Sequence, residues 1–344
     1  MEWVPCTEEG GSLGIREGHC AASLTAVGGG DEWVLCVAGY CQGERDGAAL
    51  AARTRDLPLL RWFQLSSPGR VVFECDGASL TRVKSCIAYF FGGLDGDMNY
   101  SNRLLGLSLH CGTGGAPALQ AVELLTSGDV PSPRARHSAG GGENCFVVFG
   151  GETDTSEQTN DTYLLNIETF VWTRVEVTGQ VPSPRLLAGP LIFLAPHLCV
   201  LYGGAYFLNG DIKSLADVWT LRTYPGSAWR PLSGLPGWED CSFPKSNGHT
   251  GGVLSSSGGV TVAAFVGGKD SAEGCDLVKK VRLNSTMEDD LCLCLVRPAL
   301  PGSEGPHWRY TAAATETVRG LLLLGGQCRH PQDVAAFLLR STEF

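Results

Sequence analysis

Six short apolar runs, each closed by a pair of small residues, recur along this 344-residue chain at 34–39, 87–93, 146–151, 198–204, 262–268 and 321–326. The first member of each closing pair is Ala38, Gly92, Gly150, Gly203, Gly267 or Gly325, so successive copies lie 54, 58, 53, 64 and 58 residues apart. A near-constant period of this length marks one repeat architecture, because each unit is too small to bury its apolar face alone and needs its neighbours. A continuous apolar run bounded by glycine reads as a strand covered on both faces; a strand with one wet face would alternate. The paired glycines let another backbone come close, or let the chain turn through positive φ.

The rest of each unit reads as further strands. After the third pair, residues 160–167 lead through a turn at Glu168-Thr169 to residues 170–175, which sets Tyr163 and Trp172 on adjacent antiparallel strands. Unit four repeats the idea with Trp219 and Trp229, and unit one with Trp62. Another strand precedes each run, opened in several units by a basic residue and a histidine, as at Arg16 and His19, at Arg134, Arg136 and His137, and at His249. This pattern of hydrophobic run, double glycine, and spaced Tyr and Trp resembles the kelch repeat. The resemblance covers nearly the whole chain. Units three and four match best, unit one carries Ala38 in place of the first glycine, and units two and five lack the fourth-strand Trp. It implies an all-β, six-bladed kelch-type β-propeller occupying residues 1–344 as a single domain. The sixth unit ends with its third strand at 333–339, while Glu2-Trp3-Val4-Pro5 resembles the fourth-strand sequence Ala228-Trp229-Arg230-Pro231. The N-terminal strand is therefore expected to complete the last blade, which would remove two open sheet edges.

Composition narrows the function classes. Hydrophobic residues make up 43% and charged ones 18%, which excludes a disordered chain. The formal net charge of −10 argues against a general binder of nucleic-acid phosphates. Fourteen cysteines include no CxxC, so neither a zinc ribbon nor a thioredoxin-like motif is supported. Cys36, Cys86, Cys145 and Cys199 sit inside apolar runs and read as reduced, buried thiols. Residues 186–210 hold no Asp, Glu, Lys or Arg, but their prolines and double glycine fit the repeat and not a bilayer span. The N-terminal residues lack the basic and apolar regions of a secretory signal, which points to the cytosol or nucleus.

Two sets of residues are candidates for a site. The first comprises the basic residues that open the innermost strands: Arg16, His19, Arg134, Arg136, His137, Arg185, His249, His307 and Arg309. Gathered around one channel mouth, such arginines would bind a carboxylate, a phosphate or an acidic peptide. The competing reading makes them part of the repeat, with each His bonded to a neighbouring blade and each Arg satisfying loop carbonyls. The second set is the loops that follow the double glycines, with Tyr100, Tyr206 and Phe207 as aromatic anchors. Asp95-Gly96-Asp97 looks like the start of a calcium loop but lacks its later Gly and closing Glu.

No HExxH or P-loop motif occurs, and Gly28-Gly29-Gly30 and Gly140-Gly141-Gly142 read as hairpin turns. Some kelch-like propellers are copper or iron enzymes, but no metal set stands out here. The expectation is a non-enzymatic protein-interaction module without cofactor, presenting one propeller face to a protein or peptide partner of acidic character, with no nucleic acid and no membrane insertion. The alternatives are a ubiquitin-ligase substrate receptor acting through a second subunit, and a metal or small-molecule enzyme at the channel mouth.

Overall fold

The computed structural model describes residues 2–10, 13–14, 16–41, 44–66, 73–111, 117–176, 179–224, 226–232, 243–257, 260–270, 273–274, 278–283, 291–296, 309–327 and 336–340. They form an all-β propeller. Blade 1 runs outward from the axis through Cys20–Thr25, Glu32–Val37, Ala49–Arg53 and Leu59–Leu65. Blade 2 is Ser79–Lys84, Ile87–Phe91, Leu104–Cys111 and Pro117–Glu123. Blade 3 is Ser138–Gly141, Cys145–Thr153, Gln158–Asn166 and Val171–Arg174. Blade 4 is Ile192–Ala195, Leu198–Tyr202, Val218–Arg222 and Ala228–Pro231. Blade 5 is Asn247–Ser257, Val260–Asp270, Val278–Leu283 and Leu291–Val296. The last sheet is Ala313–Thr317, Gly320–Leu324 and Ala336–Arg340, with Glu2–Pro5 as its outermost strand.

The N-terminal strand pairs antiparallel with its partner through Glu2↔Arg340, Trp3↔Leu339, Val4↔Leu338 and Pro5↔Phe337. Trp3 is buried there, edge-on to Phe337 with ring centroids 6.3 Å apart. Each innermost strand packs against the innermost strands of its two flanking blades, and the contact between Ala313–Thr317 and Cys20–Thr25 closes the circle. The uncharged stretch 186–210 is strand and turn within blade 4, and no helix among the described residues is long and apolar enough to cross a membrane.

The apolar runs explain the packing. Successive side chains on a strand point to opposite faces, so each second strand feeds two interfaces. In blade 1, Trp33, Leu35 and Val37 meet blade 2, whereas Val34 and Cys36 meet the last sheet. In blade 3, Phe146 and Val148 meet blade 2, and Val147 and Phe149 meet blade 4. All of these are essentially excluded from water, and full burial of one such side chain contributes about 1.5–3 kcal/mol. Tyr163 and Trp172 both fall in the core between blades 2 and 3, where Trp172 stands opposite Leu165 in the strand register. Gly28-Gly29-Gly30 does lie in a hairpin turn, between paired Thr25 and Glu32. Gly140 and Gly141 do not. They end the first strand of blade 3, where a Cβ on either would strike the carbonyl of Leu191 or Arg82.

Candidate channel mouth and loop face

The double glycines are where one blade grips the next. The amide of the second residue of each pair donates to a carbonyl at the start of the following blade. These bonds are Gly39 to Cys75 (2.8 Å), Gly93 to Arg134 (3.0 Å), Gly151 to Arg185 (2.8 Å), Gly204 to Ser246 (2.8 Å), Gly268 to Arg309 (2.6 Å) and Gly326 to Arg16 (2.6 Å). At Gly203-Gly204 the requirement for glycine is plain. The first has φ 56° and lies against the Ser246 carbonyl, and the second has φ 97° and lies against Ala188, so a Cβ on either would come within 3.0 Å of its neighbour. Ala38 shows that a methyl is tolerated at the first position of blade 1, at φ 65°.

The residue that offers this carbonyl is arginine in four blades: Arg16, Arg134, Arg185 and Arg309. Its guanidinium turns back into its own blade. Arg134 Nη1 donates to the Gly150 carbonyl (3.0 Å), and its two Nη atoms hold Asp161 at 2.7 and 3.1 Å. Arg185 does the same to Gly203 (2.8 Å) and Asp217 (2.7 and 2.8 Å), and Arg16 to Ala38 (3.1 Å) and Asp46. Arg309 Nη1 reaches the Gly325 carbonyl at 3.3 Å. Burial pushes the Asp161 and Asp217 carboxyls up, but the bonds and charge of Arg134 and Arg185 outweigh it and leave both below the ordinary carboxylate range. Arg134 and Arg185 are 0% and 1% exposed. In blade 5, where Ser246 stands at the arginine position, Lys279 of the third strand supplies the cation, with Nζ 2.9 Å from the Gly267 carbonyl. Arg16, Arg134 and Arg185 are thus committed to joining strands within a blade, as the repeat reading expects.

The histidines are buried as well. His19, His137 and His249 each lie against the first glycine of the preceding blade: Gly325, Gly92 and Gly203. The equivalent residues of the alternate blades are Ala78, Ala188 and Ala312, so large and small side chains alternate around the ring. His137 Nε2 is 2.8 Å from Ser79 Oγ of blade 2. Burial first, then the charges of Arg16, Arg134 and Lys279 respectively, push the three imidazoles down to about 3. They are neutral at physiological pH. His307 lies outside the described residues.

One residue further along the chain from each strand-opening pair, a ring of left-handed residues rims the channel. Gly18, Gly77, Arg136, Leu187, Gly248 and Thr311 all have φ between 54° and 66°. Their backbones link blade to blade. The amide of Arg136 donates to Gly77 (2.7 Å), Leu187 to Arg136 (3.0 Å), Gly248 to Leu187 (2.9 Å), Thr311 to Gly248 (2.8 Å) and Gly18 to Thr311 (3.0 Å). The channel holds a cavity of about 170 Å³ at this rim and one of about 250 Å³ further along, both walled by small residues such as Ala21, Ala139 and Ala314. At the opposite end, Arg82 of blade 2 bonds Ser23 of blade 1 (2.9 Å) and Glu316 of the last sheet (3.0 Å), and so spans three blades.

Arg136 is the one strand-opening arginine of the set whose side chain faces the rim. It is 30% exposed and joins Glu152 (2.9 Å) and Asp76 (3.3 Å). Arg45 holds the other oxygen of Asp76 at 3.0 Å and lies 4.9 Å over the Tyr40 ring. Burial and the neighbouring Asp76 and Glu152 carboxylates push the Tyr40 and Tyr100 phenols up. Two arginines, two carboxylates and two phenols make up this cluster. It is charge-balanced, and the expected gathering of free arginines does not form at the mouth.

Tyr100 stands at the edge of the loop that follows Gly93, which also carries the exposed Met98. The Asp95 carboxylate accepts from the backbone amides of Asp97 (3.0 Å) and Asn99 (2.8 Å), so it braces this loop from within. Tyr206 and Phe207 fall on an added hairpin, Ala205–Leu208 paired with Asp211–Ser214, whose tip is Asn209-Gly210 at φ 53° and 84°. Sequence reading took this segment as a loop, although Asn-Gly between extended residues is the strongest short hairpin signal. Phe207 is tied to blade 3, with its amide 2.7 Å from Gln158 Oε1 and its carbonyl 3.3 Å from Gln158 Nε2. Glu152 pairs with Gln158 across the blade 3 hairpin. Tyr100, Glu152, Gln158 and Phe207 therefore form one continuous line across the face. Among the described residues no group of three His, Cys, Asp or Glu is placed to hold a metal ion. Cys6, Cys20, Cys36, Cys41, Cys75, Cys86, Cys111, Cys145 and Cys199 are free thiols, and burial pushes Cys6, Cys36 and Cys75 up to about 12.

Parts of the chain are similar in sequence to known proteins. A 127-residue stretch, 35% of this chain and 10% of the relative, is 34% identical to tip elongation aberrant protein 1 of Schizosaccharomyces pombe. Acyl-CoA-binding domain-containing protein 4 of Arabidopsis thaliana is 26% identical over 241 residues, 69% of this chain and 32% of its own length. Kelch domain-containing protein 1 of Mus musculus is 34% identical over 113 residues, 33% of this chain and 26% of that protein. The chain thus spans a third or less of the length of these relatives. The model of the KLHDC2/KLHL20/DRC7 kelch-repeats domain matches residues 18–250, well over half of the sequence, and the chain belongs to that kelch-repeat family.

Proposed function

We propose that this chain is a non-enzymatic protein-interaction module whose working surface is the face bearing the channel rim and the loops after the double glycines. One observation carries the reading. The buried Arg134 and Arg185 are fully engaged with Asp161 and Asp217, while the aromatic and apolar groups left to solvent on this face sit on loops that no interface between blades requires. Loops freed from packing are where a rigid scaffold carries recognition. The balanced Arg45–Asp76–Arg136–Glu152 cluster offers hydrogen bonds and aromatic surface, which suits a peptide or protein more than a lone phosphate. The free thiols support a reducing setting, cytosol or nucleus.

The test is a tagged pull-down read by quantitative mass spectrometry. Wild type is compared with a Tyr100→Ala/Phe207→Ala variant of the loops on this face and an Arg82→Ala variant of the opposite face. A partner lost from the first and kept by the second supports the assignment. The reverse result moves the working surface to the Arg82 face, and a ligase subunit in the retained set would assign the module to a receptor complex.

A further inference from the structure

The hairpin of blade 4 is more than a turn between two strands. It lies outside the four-stranded sheet of its blade, as a two-stranded sheet of its own. Its strand register sets Phe207 directly opposite Ile212, and cross-strand partners share one face of a sheet. These two side chains are 43% and 40% exposed. A short hairpin gains nothing from holding two large apolar groups side by side in water, and an exposed apolar patch with a polar rim is the mark of a docking surface.

Outside the balanced Arg45–Asp76–Arg136–Glu152 cluster, the loops around this pair are mainly acidic. The loop from Asp95 to Tyr100, the loop from Glu152 to Gln158 and the hairpin from Ala205 to Ser214 together carry six carboxylates: Asp95, Asp97, Glu152, Asp154, Glu157 and Asp211. Against them stands one cation, Lys213, whose Nζ is 3.2 Å from Asp211. Glu152 is neutralised by Arg136, but Asp97, Asp154 and Glu157 are exposed. The Gln158 bonds to Phe207 hold the Glu157 loop against the apolar pair.

Resting on the interaction-module reading above, we propose that the Phe207–Ile212 pair and the Asp97, Asp154 and Glu157 carboxylates form one docking surface. It fits a lysine- or arginine-rich peptide segment of a partner protein that carries a large apolar side chain. The apolar residue seats on Phe207 and Ile212, and the cations follow the carboxylates across blades 3 and 2. Opposite charge across such a surface raises the encounter rate and rejects acidic partners. The charge sign is the reverse of the one expected from the arginines in the sequence, because Arg16, Arg134 and Arg185 lie inside the blades and Arg136 is paired with Glu152 and Asp76.

The experiment is display selection of random twelve-residue peptides on the full chain, followed by fluorescence anisotropy of the enriched peptides. Binding is measured on wild type, on Phe207→Ser/Ile212→Ser, and on Asp154→Asn/Glu157→Gln, a pair of exposed loop changes that leaves the core untouched. The expected peptides carry net positive charge with one large apolar residue. They lose about tenfold or more in affinity on each variant, and bind more weakly as salt rises, as screening requires. Enriched peptides of neutral or negative charge would overturn the proposal and leave the module reading standing. Cationic peptides that bind both variants as they bind wild type would overturn the location. No enrichment at all would remove the proposal and the module reading together.

Discussion

Arg134 and Arg136 stand two residues apart on the same strand-opening segment, and the structure puts them to opposite uses. Arg134 is 0% exposed and clasps Asp161 and the Gly150 carbonyl, so it belongs to the inside of blade 3. Arg136 takes φ 57° and sends its guanidinium to the rim, where Glu152 and Asp76 meet it with 30% of its side chain still in water. A basic residue in this motif is therefore defined by the backbone beneath it. The extended residue points into the blade, and the left-handed one points along the channel mouth.

The comparison makes its largest demand on acidification. The three imidazoles are pushed down to about 3 in the fold, against an ordinary value of 6.5. Above pH 6.5 both folded and unfolded rings are neutral and contribute no slope. Below it the unfolded rings take up protons that the folded ones refuse until about pH 3, so stability falls through that window, by about 1.4 kcal/mol per pH unit for each ring. Asp161 and Asp217 have depressed values, so their contribution is held above the ordinary carboxylate range and is lost only at lower pH. Urea midpoints measured from pH 8 to pH 5 should be level down to about 6.5 and then drop steeply. A level profile to pH 5 would place the histidines in contact with water and dissolve the contrast with the rim.

Next comes Arg134→Ala. It leaves Asp161, 14% exposed, without its cation inside the blade, and breaking such a pair costs about 3–5 kcal/mol. Chemical denaturation reads this directly, and a loss below 1 kcal/mol would make Arg134 as dispensable as a surface arginine. Lys279→Met in blade 5 asks whether a lysine from the third strand replaces that arginine. The bond from Nζ to the Gly267 carbonyl, at 2.9 Å, is charge-assisted, and its removal should cost about 1.5–3 kcal/mol. An unchanged midpoint would mean that blade 5 is held by its apolar contacts alone.

Much of the fold was legible in sequence because the propeller repeats its physics. The double-sided apolar runs, the glycine pairs and the Trp3 strand each answer to one recurring demand, the packing of one blade on the next, and each appears at a fixed place in the period. The site was less legible for the same reason. Arg134, Arg136 and Arg185 look alike as letters, and what separates them is a φ angle and the position of Asp161 or Asp217, residues 27 and 32 positions downstream. An Asp within or just ahead of the third strand, in the same repeat as an Arg at the opening of the first, was the available signal that those arginines were spoken for. The hairpin at Asn209-Gly210 was also readable. Its link to blade 3 through Gln158 was not, because that contact joins two blades 49 residues apart in the chain.

The smallest expected change in stability tests the comparison from its other side. Arg136 is partly exposed, and its ion pairs at 2.9 and 3.3 Å lie at the rim, where water screens them; pairs of this kind contribute about 0–1 kcal/mol. Its backbone amide bond to Gly77, at 2.7 Å, survives any side-chain change. The left-handed φ of 57° is already borne by a side chain with a Cβ, so alanine adds no strain there. Arg136→Ala should therefore move the denaturation midpoint by no more than about 0.5 kcal/mol, while releasing Glu152 and Asp76 and making the face more acidic. Under the module reading that variant keeps the fold and changes what binds, favouring cationic peptides more strongly than wild type does. A loss of stability comparable to that of Arg134→Ala would instead show that the rim cluster is a structural clasp between blades 2 and 3, and that recognition lies further out, on the hairpin alone.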